Sequence, residues 1–399
     1  MFFWFFLLPS FGISQNIYGI KKAVEIPFEY HNDFIIVKIL FNKTLSLNFI
    51  FDTGAEHTIL LKKEIAEVMN IPYERRIQIV GSDMKEDLFA YLARRIHLKM
   101  SQIIIPNQSI LVLEKDYLEL EKRVGVDIEG IIGADIFKAY RIHINYNART
   151  IKLSPSSPNP PRNFDPIPIE IYKNKPYLSS RVELSDTTTV PIKLLLDTGA
   201  GLALLLHTDT HPDLELPEQV IPGQVGVGLG GTIDGFLGRV KKLPLGNSDL
   251  RLSDVVTNFQ KLNSDLETSH LNARNGIVGN KVLKRFQVII DYPQRKLYLK
   301  PNKRYKKKFE FDRSGLVVIA GGENLNQYYI SKVVPNSPAA EVGIIRGDRI
   351  VGINGTMASF LSLTGILQRF KRKAGKKIKL VIYRGGTKMK RHIILRDLI

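Results

Sequence analysis

The tripeptide Asp-Thr-Gly occurs twice in this chain, each time after an apolar run and before alanine: Ile50-Phe51-Asp52-Thr53-Gly54-Ala55 and Leu195-Leu196-Asp197-Thr198-Gly199-Ala200. An apolar run stopped by a carboxylate, a hydroxyl and a glycine reads as a buried strand that enters a sharp turn. The glycine frees that turn from a Cβ clash. Each aspartate is then held at the mouth of a rigid scaffold. If two such turns meet, the carboxyls cannot both ionise readily; they share one proton and titrate in two steps. The pair offers one base and one acid on either side of a water. Such chemistry requires no metal and no organic cofactor, and none is expected.

The segments around the two turns repeat as well. Gly133 of Ile131-Ile132-Gly133 lies 81 residues after Asp52, and Gly279 of Ile277-Val278-Gly279 lies 82 after Asp197. A hairpin pattern follows each, Ile144 to Leu153 and Ile290 to Leu299, and Ile26-Pro27-Phe28-Glu29 matches Ile167-Pro168-Ile169-Glu170. A repeat on this scale implies one β-rich unit used twice.

On these residues the sequence resembles the retropepsin-like aspartic proteases, which pair an apolar-apolar-Asp-Thr-Gly-Ala loop with a later apolar-apolar-Gly strand. The resemblance spans roughly residues 21 to 303. It implies a mainly β fold with two pseudo-symmetric β-barrel lobes, and a dyad of Asp52 and Asp197 that hydrolyses peptide bonds through an activated water. That two-carboxylate mechanism comes from the likeness to the family; spacing alone does not supply it. The resemblance also implies that Thr53 and Thr198 lock the loops across the axis, that Gly54 and Gly199 offer backbone N–H groups to the carboxyls, and that a single molecule, a monomer, builds the site. Ala55 and Ala200 stand where pepsin-type enzymes carry Ser or Thr. Losing a hydroxyl that bonds the charged form should raise the carboxyl pKa values, so a mildly acidic to near-neutral optimum is expected.

Other stretches complete the plan. Met1 to Ser14, with an apolar core at Phe2 to Leu8 and small residues before Gln15, reads as a secretory signal, which makes the protein periplasmic or secreted; no Lys or Arg precedes the core. There is no cysteine, which excludes a disulfide framework, a zinc–thiolate site and a thiol nucleophile. Lobe one is expected over 21–153, a Pro/Ser linker over 154–162 and lobe two over 163–303. Lys62 to Met69 has helical character. Hairpin tips at Gly81-Ser82-Asp83 and in the run from Gly226 to Thr232, including Gly230 and Gly231, are flap candidates; an ordinary surface hairpin is the competing reading. The glycine run lacks the Gly-Lys-Ser/Thr of a phosphate loop. His207 and His211 stand four apart, but no third ligand is evident and a surface role is favoured over a metal site.

The character changes beyond residue 300. Residues 300–399 hold 22 Lys and Arg against 6 Asp and Glu, in a chain of net charge +18. The tail resembles a PDZ domain, of the form associated with bacterial proteases, over 304–399. The carrying residues are Ser314 to Val318, Tyr329 to Ala340 with its Asn-Ser-Pro-Ala-Ala turn, and Gly343 to Gly355 with Gly347-Asp348-Arg349-Ile350. The resemblance implies an α/β module in which the Gly315-Leu316 loop binds a peptide's terminal carboxylate, Val317 and Val318 begin the strand to which the peptide adds, and Phe360 to Arg372 form the helix walling the groove. The usual second glycine of the loop is absent. Expected partners are polypeptide substrates and a peptide or C-terminal ligand. An anionic envelope surface is a further partner class for the basic run Lys371 to Lys377. Nucleic acid is not expected, given export and the lack of interleaved aromatics. Two readings of another class stay open: a catalytically inactive peptide-binding scaffold of the cell envelope, and a basic adhesion module.

Overall fold

A computed structural model describes residues 22–80, 87–159, 161–228, 231–261 and 274–399. The expected export signal, Met1 to Ser14, lies outside these residues, as do Gly81, Ser82, Asp83 and Gly230. The fold is mainly β, 50% strand and 10% helix.

The repeat in sequence is a repeat in topology. The first half builds an eight-stranded sheet in the order Glu29–His31, Phe34–Phe41, Leu45–Phe51, Gly130–Ile132, Ile59–Leu60, Ile103–Leu113, Asp87–Met100, Tyr73–Val80. The second half matches it strand for strand: Glu170–Tyr172, Lys175–Glu183, Thr189–Leu196, Gly276–Val278, Leu204–His207, Arg251–Gln260, Gly231–Pro244, Ile221–Gly228. In each sheet the short strand ending Ile-Ile or Ile-Val lies parallel to the strand leading into the Asp turn (Ile50 opposite Ile131, Leu195 opposite Ile277) and antiparallel to the strand leaving it. The turn is therefore trapped between two strands that share one neighbour. The apolar runs serve this central position, where both faces are covered. The hairpins expected around both flap candidates form, with Gly228 opposite Gly231 at the second tip. The expected helix at 62–69 is Lys63–Val68.

A six-stranded sheet joins the halves in the order Val24–Pro27, Thr150–Pro155, Tyr140–Asn145, Phe286–Asp291, Lys296–Pro301, Pro166–Pro168. The order is palindromic about its central antiparallel pair, in which Ile142 faces Ile290 and Ile144 faces Val288. A pseudo-two-fold axis thus runs between these strands. Alternation in Tyr140–Asn145 sends Tyr140, Ile142 and Ile144 inward; Ile142 and Ile144 enter one apolar core shared by both halves. At the edge of this pair Arg141 donates to the fully buried Asp291 (2.6 Å), which also accepts from Ser156 (2.7 Å). The start of the Pro/Ser stretch is thereby fastened to the second half.

The basic connector is fastened too. Phe309 and Phe311 enter the shared core, and Arg285 stacks 3.6 Å from the Phe309 ring while donating to the Arg304 and Tyr305 carbonyls. Beyond it, strands Leu316–Gly321, Gln327–Val333, Arg349–Ile353, Lys377–Arg384 and Thr387–Ile394 form a sheet in that order around a separate core. Ser337 caps Pro338–Glu341, as expected of Ser before Pro at a helix start. The groove helix expected over 360–372 is shorter, Leu363–Phe370, because Ser362 caps it and Ala358–Phe360 is a separate 3-10 turn. Asp348 is buried and takes both oxygens to Arg384 (2.6 and 2.7 Å) and one to the Ile345 N–H (3.0 Å). This explains why an aspartate sits inside the Gly-Asp-Arg-Ile turn.

Candidate functional site

The two Asp turns meet on the axis. Thr53 and Thr198 are fully buried, and each hydroxyl reaches into the opposite half. Thr53 Oγ1 donates to the Leu196 carbonyl (2.7 Å) and accepts from Thr198 N–H (3.1 Å); Thr198 Oγ1 donates to the Phe51 carbonyl (2.7 Å) and accepts from Thr53 N–H (3.0 Å). Serine lacks the methyl that fills this site, and valine lacks the hydroxyl. Behind the turns, Asp52 N–H bonds the Ile132 carbonyl (3.1 Å) and Asp197 N–H the Val278 carbonyl (2.9 Å). The Ala55 and Ala200 carbonyls accept from Ala134 and Asn280 N–H groups.

Glycine is required where each turn passes the other aspartate. A Cβ on Gly54 would lie 2.6 Å from Asp197 Cγ, and one on Gly199 would lie 2.2 Å from Asp52 Cγ. The same contacts show that each carboxyl lies against the opposite turn. Asp52 Oδ1 accepts from Gly54 and Ala55 N–H (2.7 and 3.1 Å), and Asp197 Oδ1 from Gly199 N–H (2.7 Å).

The electrostatics follow from this packing. Burial, then the Asp197 charge and a hydrogen bond to it, lift Asp52 well above the ordinary carboxyl range. Burial also lifts Asp197, but the hydrogen bond from Asp52 and the positive charge of Arg274 oppose the rise. Both carboxyls are therefore pushed above the ordinary carboxyl range, and they titrate as one unit and not as two separate acids. Beneath them the Tyr292 hydroxyl is buried with no hydrogen-bond partner among the described residues. Burial and then the two carboxyl charges keep it protonated.

The pair opens into a cavity of about 880 Å³. Ile79 and Leu237, from the two hairpins, line it; so do Phe34 and Lys175, which open equivalent strands of the halves. Arg274 and Lys175 are site residues that sequence reasoning missed. Aligning the strands around Ile131 and Ile277 puts Arg274 opposite Ile128, so the usable signal was a charge in one repeat where the other has an apolar residue. The surface role expected of His207 is corrected: it ends the central strand Leu204–His207, between Gly276–Val278 and Arg251–Gln260, and is buried there, held neutral with a pKa of about 3 by burial and by Arg274; among the described residues no group of three His, Cys, Asp or Glu is placed to hold a metal ion.

In the C-terminal module Gly315 has φ +81°, a left-handed conformation that favours glycine. Leu316, Val317 and Val318 begin the strand Leu316–Gly321, which lies at the edge of its sheet. Leu316–Ile319 and Leu367 of the groove helix face the same cavity as the two aspartates. Two equivalent, mainly β halves thus bring two carboxyls together at one cavity, and a third module packs against them. A PDZ domain family model matches residues 329–384, and these residues are a PDZ domain, a type of module that generally binds peptides or C-termini. No curated protein matches the chain.

Proposed function

We propose that the chain is a single-chain, two-lobed, retropepsin-like aspartic endopeptidase whose PDZ domain receives polypeptide. One observation carries this reading: two half-buried aspartates from equivalent turns lie against each other's glycines, with the turns locked by the reciprocal Thr53–Thr198 bonds. In this mechanism Asp197 is the base. It takes a proton from a water held between the carboxyls as the water oxygen bonds to the scissile carbonyl carbon. Asp52 gives its proton to the carbonyl oxygen, forming the gem-diol. The C–N bond then breaks as Asp197 returns its proton to the leaving nitrogen. Asp52 takes back the hydroxyl proton as the carboxylic acid product forms. The Arg274 charge favours the ionised Asp197, and burial of Asp52 keeps the acid form available toward neutral pH. Both aspartates lie in one chain, so a monomer suffices. The apolar amino terminus, read as an export signal, supports a periplasmic or secreted location for the activity.

The test is hydrolysis of denatured casein by the purified protein from pH 3 to 8, with and without pepstatin, alongside Asp52→Ala and Asp197→Asn. Cleavage that pepstatin blocks and that both substitutions abolish supports the reading. Equal cleavage by all three proteins, or none at any pH, ends it. The PDZ domain favours the second reading, a peptide-binding scaffold without catalysis, and the absence of cleavage together with tight peptide binding would establish it.

A further inference from the structure

The two walls of the aspartate cleft are equivalent in backbone and opposite in polarity. The strand registers place Ile59, Leu111 and Ile131 of the first half where Leu205, Asn258 and Ile277 stand in the second. Counting outward from these anchors, Leu61 corresponds to His207, Leu113 to Gln260 and Ile128 to Arg274. The facing strands likewise match Phe34 with Lys175. A hydrocarbon side chain in the first half thus gives way to a polar or cationic one at Asn258, His207, Gln260, Arg274 and Lys175. In the first half Leu61, Leu113 and Ile128 join Leu118 and Leu120 in one apolar cluster, and Leu118 and Leu120 form the cavity wall. In the second half the polar side chains line the cavity themselves.

This polar wall has unused hydrogen-bonding capacity and unmatched charge. Both ring nitrogens of His207, which is 2% exposed, and Nε of Arg274 are buried without a hydrogen-bond partner. Neither Arg274 nor Lys175 forms an ion pair among the described residues. Burial lowers the pKa of both cations, and the Arg274 charge adds to the effect on Lys175. Asp197 acts on both, and Glu56 on Lys175, through space without pairing. Burying a cation without a counterion is costly, and an incoming carboxylate offsets that cost. The other cations in the lining are differently placed: Arg123 has the Glu119 charge beside it, and Lys281 and Lys371 act on the Asp33 carboxylate. The unmatched positive charge therefore lies on the second-half wall.

We infer that the cleft selects polypeptide by opposite chemistry on its two walls: Arg274, Lys175 and His207 of the second half take an acidic side chain, and the equivalent apolar wall of the first half takes a hydrocarbon one. A chain laid across the pseudo-two-fold axis presents side chains to the two walls from opposite sides of the bond lying at Asp52 and Asp197. The favoured sequence therefore has one acidic and one apolar flank. The carboxylate accepts from the Arg274 guanidinium and from an imidazole N–H of neutral His207, where the first-half equivalents are hydrocarbons. The inference deepens the peptidase reading and rests on it for the bond that is cut, but side-chain selection is measurable by binding alone.

The experiment uses the full-length Asp52→Asn protein and fluorescein-labelled, amidated, Val-rich peptides that differ only at their two central positions: Leu-Glu, Glu-Leu, Leu-Gln, Gln-Leu and Leu-Leu. Binding is read by fluorescence anisotropy. One order of Leu and Glu should bind about tenfold tighter than its reverse, than the same order with Gln for Glu, and than Leu-Leu. Arg274→Ile, which gives the second wall the residue of the first, should cut the preference for Glu to about threefold or less. Arg274→Lys keeps the charge and should retain most of the preference, which guards against misfolding. The ratio of Glu to Gln binding is the diagnostic quantity, because an effect of Arg274 confined to Asp197 would weaken both peptides alike. Equal binding of all the peptides, binding of none, or a full preference that survives Arg274→Ile would overturn the inference. If the acidic peptide binds selectively and the wild type cuts neither it nor casein, the peptidase reading fails alone; if the wild type cuts casein at bonds with no acidic flank, this inference fails alone.

Discussion

Replacing Thr53 by valine keeps the side chain's shape and removes one hydroxyl. Two buried backbone groups then lose their partners: the Leu196 carbonyl loses its donor at 2.7 Å, and Thr198 N–H loses its acceptor at 3.1 Å. Leaving a buried polar group unsatisfied costs about 1–3 kcal/mol, so the substitution should cost on the order of 2–6 kcal/mol. That is a large part of the ~5–15 kcal/mol that typically holds a folded protein. Thr198→Val should cost the same, because it strands the Phe51 carbonyl and Thr53 N–H in the mirror arrangement. The four bonds are disjoint, so the double variant should approach the sum and unfold under mild denaturant. Thr53→Ser retains the hydroxyl and should lose about 1 kcal/mol, the worth of a buried methyl group. Urea unfolding followed by circular dichroism reads these differences, and the PDZ core, being separate, serves as an internal reference. On the proposed peptidase reading, the same variants should lose hydrolysis more steeply than stability, since the hydroxyls hold the carboxyls in register. A Thr53→Val loss below about 0.5 kcal/mol, the range of an ordinary surface change, or a Thr53→Ser loss equal to that of Thr53→Val, would refute the reasoning.

Two further outcomes follow from charge. Asp52 binds its proton more tightly in the folded state than at its unfolded value of 3.8; the native protein therefore holds more protons above that pH, and stability falls as pH rises. Asp52→Asn should raise the melting temperature at neutral pH and change it little near pH 3; an equal shift at both would contradict this. Asp33 shows the opposite sign. Burial would raise it, but Lys284, then Lys281 and Lys371, bring it down to about 2. It contributes stability above its unfolded value, lost as pH falls through about 2. Lys284→Met removes the direct ion pair of Asp33 but leaves the Tyr30 hydroxyl and the Lys281 and Lys371 charges, so it should cost on the order of 1–3 kcal/mol at neutral pH, with the penalty shrinking in thermal melts as acid protonates Asp33.

How much of this was legible beforehand divides along a physical line. The paired turns, the strands that feed and trap them and the PDZ strand–turn pattern were readable because they are local: apolar runs, a glycine that a neighbour requires, a proline after a serine cap. Arg274 was not, because a lone arginine ahead of a strand looks like any solvated charge until a fold desolvates it. Asp312 was passed over for the same reason: an aspartate three residues before a glycine is an ordinary turn residue, and only closure of the loop showed its oxygen collecting three backbone N–H groups. The shortened groove helix reflects a serine cap at Ser362 that outcompeted the apolar periodicity extending to Phe360.

The chain by itself determined that one β unit is used twice, that each copy ends a buried strand in Asp-Thr-Gly, and that a basic PDZ module follows. Those properties depend on residues within a few positions of one another. Only the tertiary structure decided that the two carboxyls lie against each other's turns, that the Arg274 charge favours one of them, and that the PDZ groove opens onto the same cavity. The meeting of the turns joins residues 145 positions apart, and the other two depend equally on desolvation and on charges brought together by the fold. Neither burial nor a through-space field can be read from neighbours in the chain.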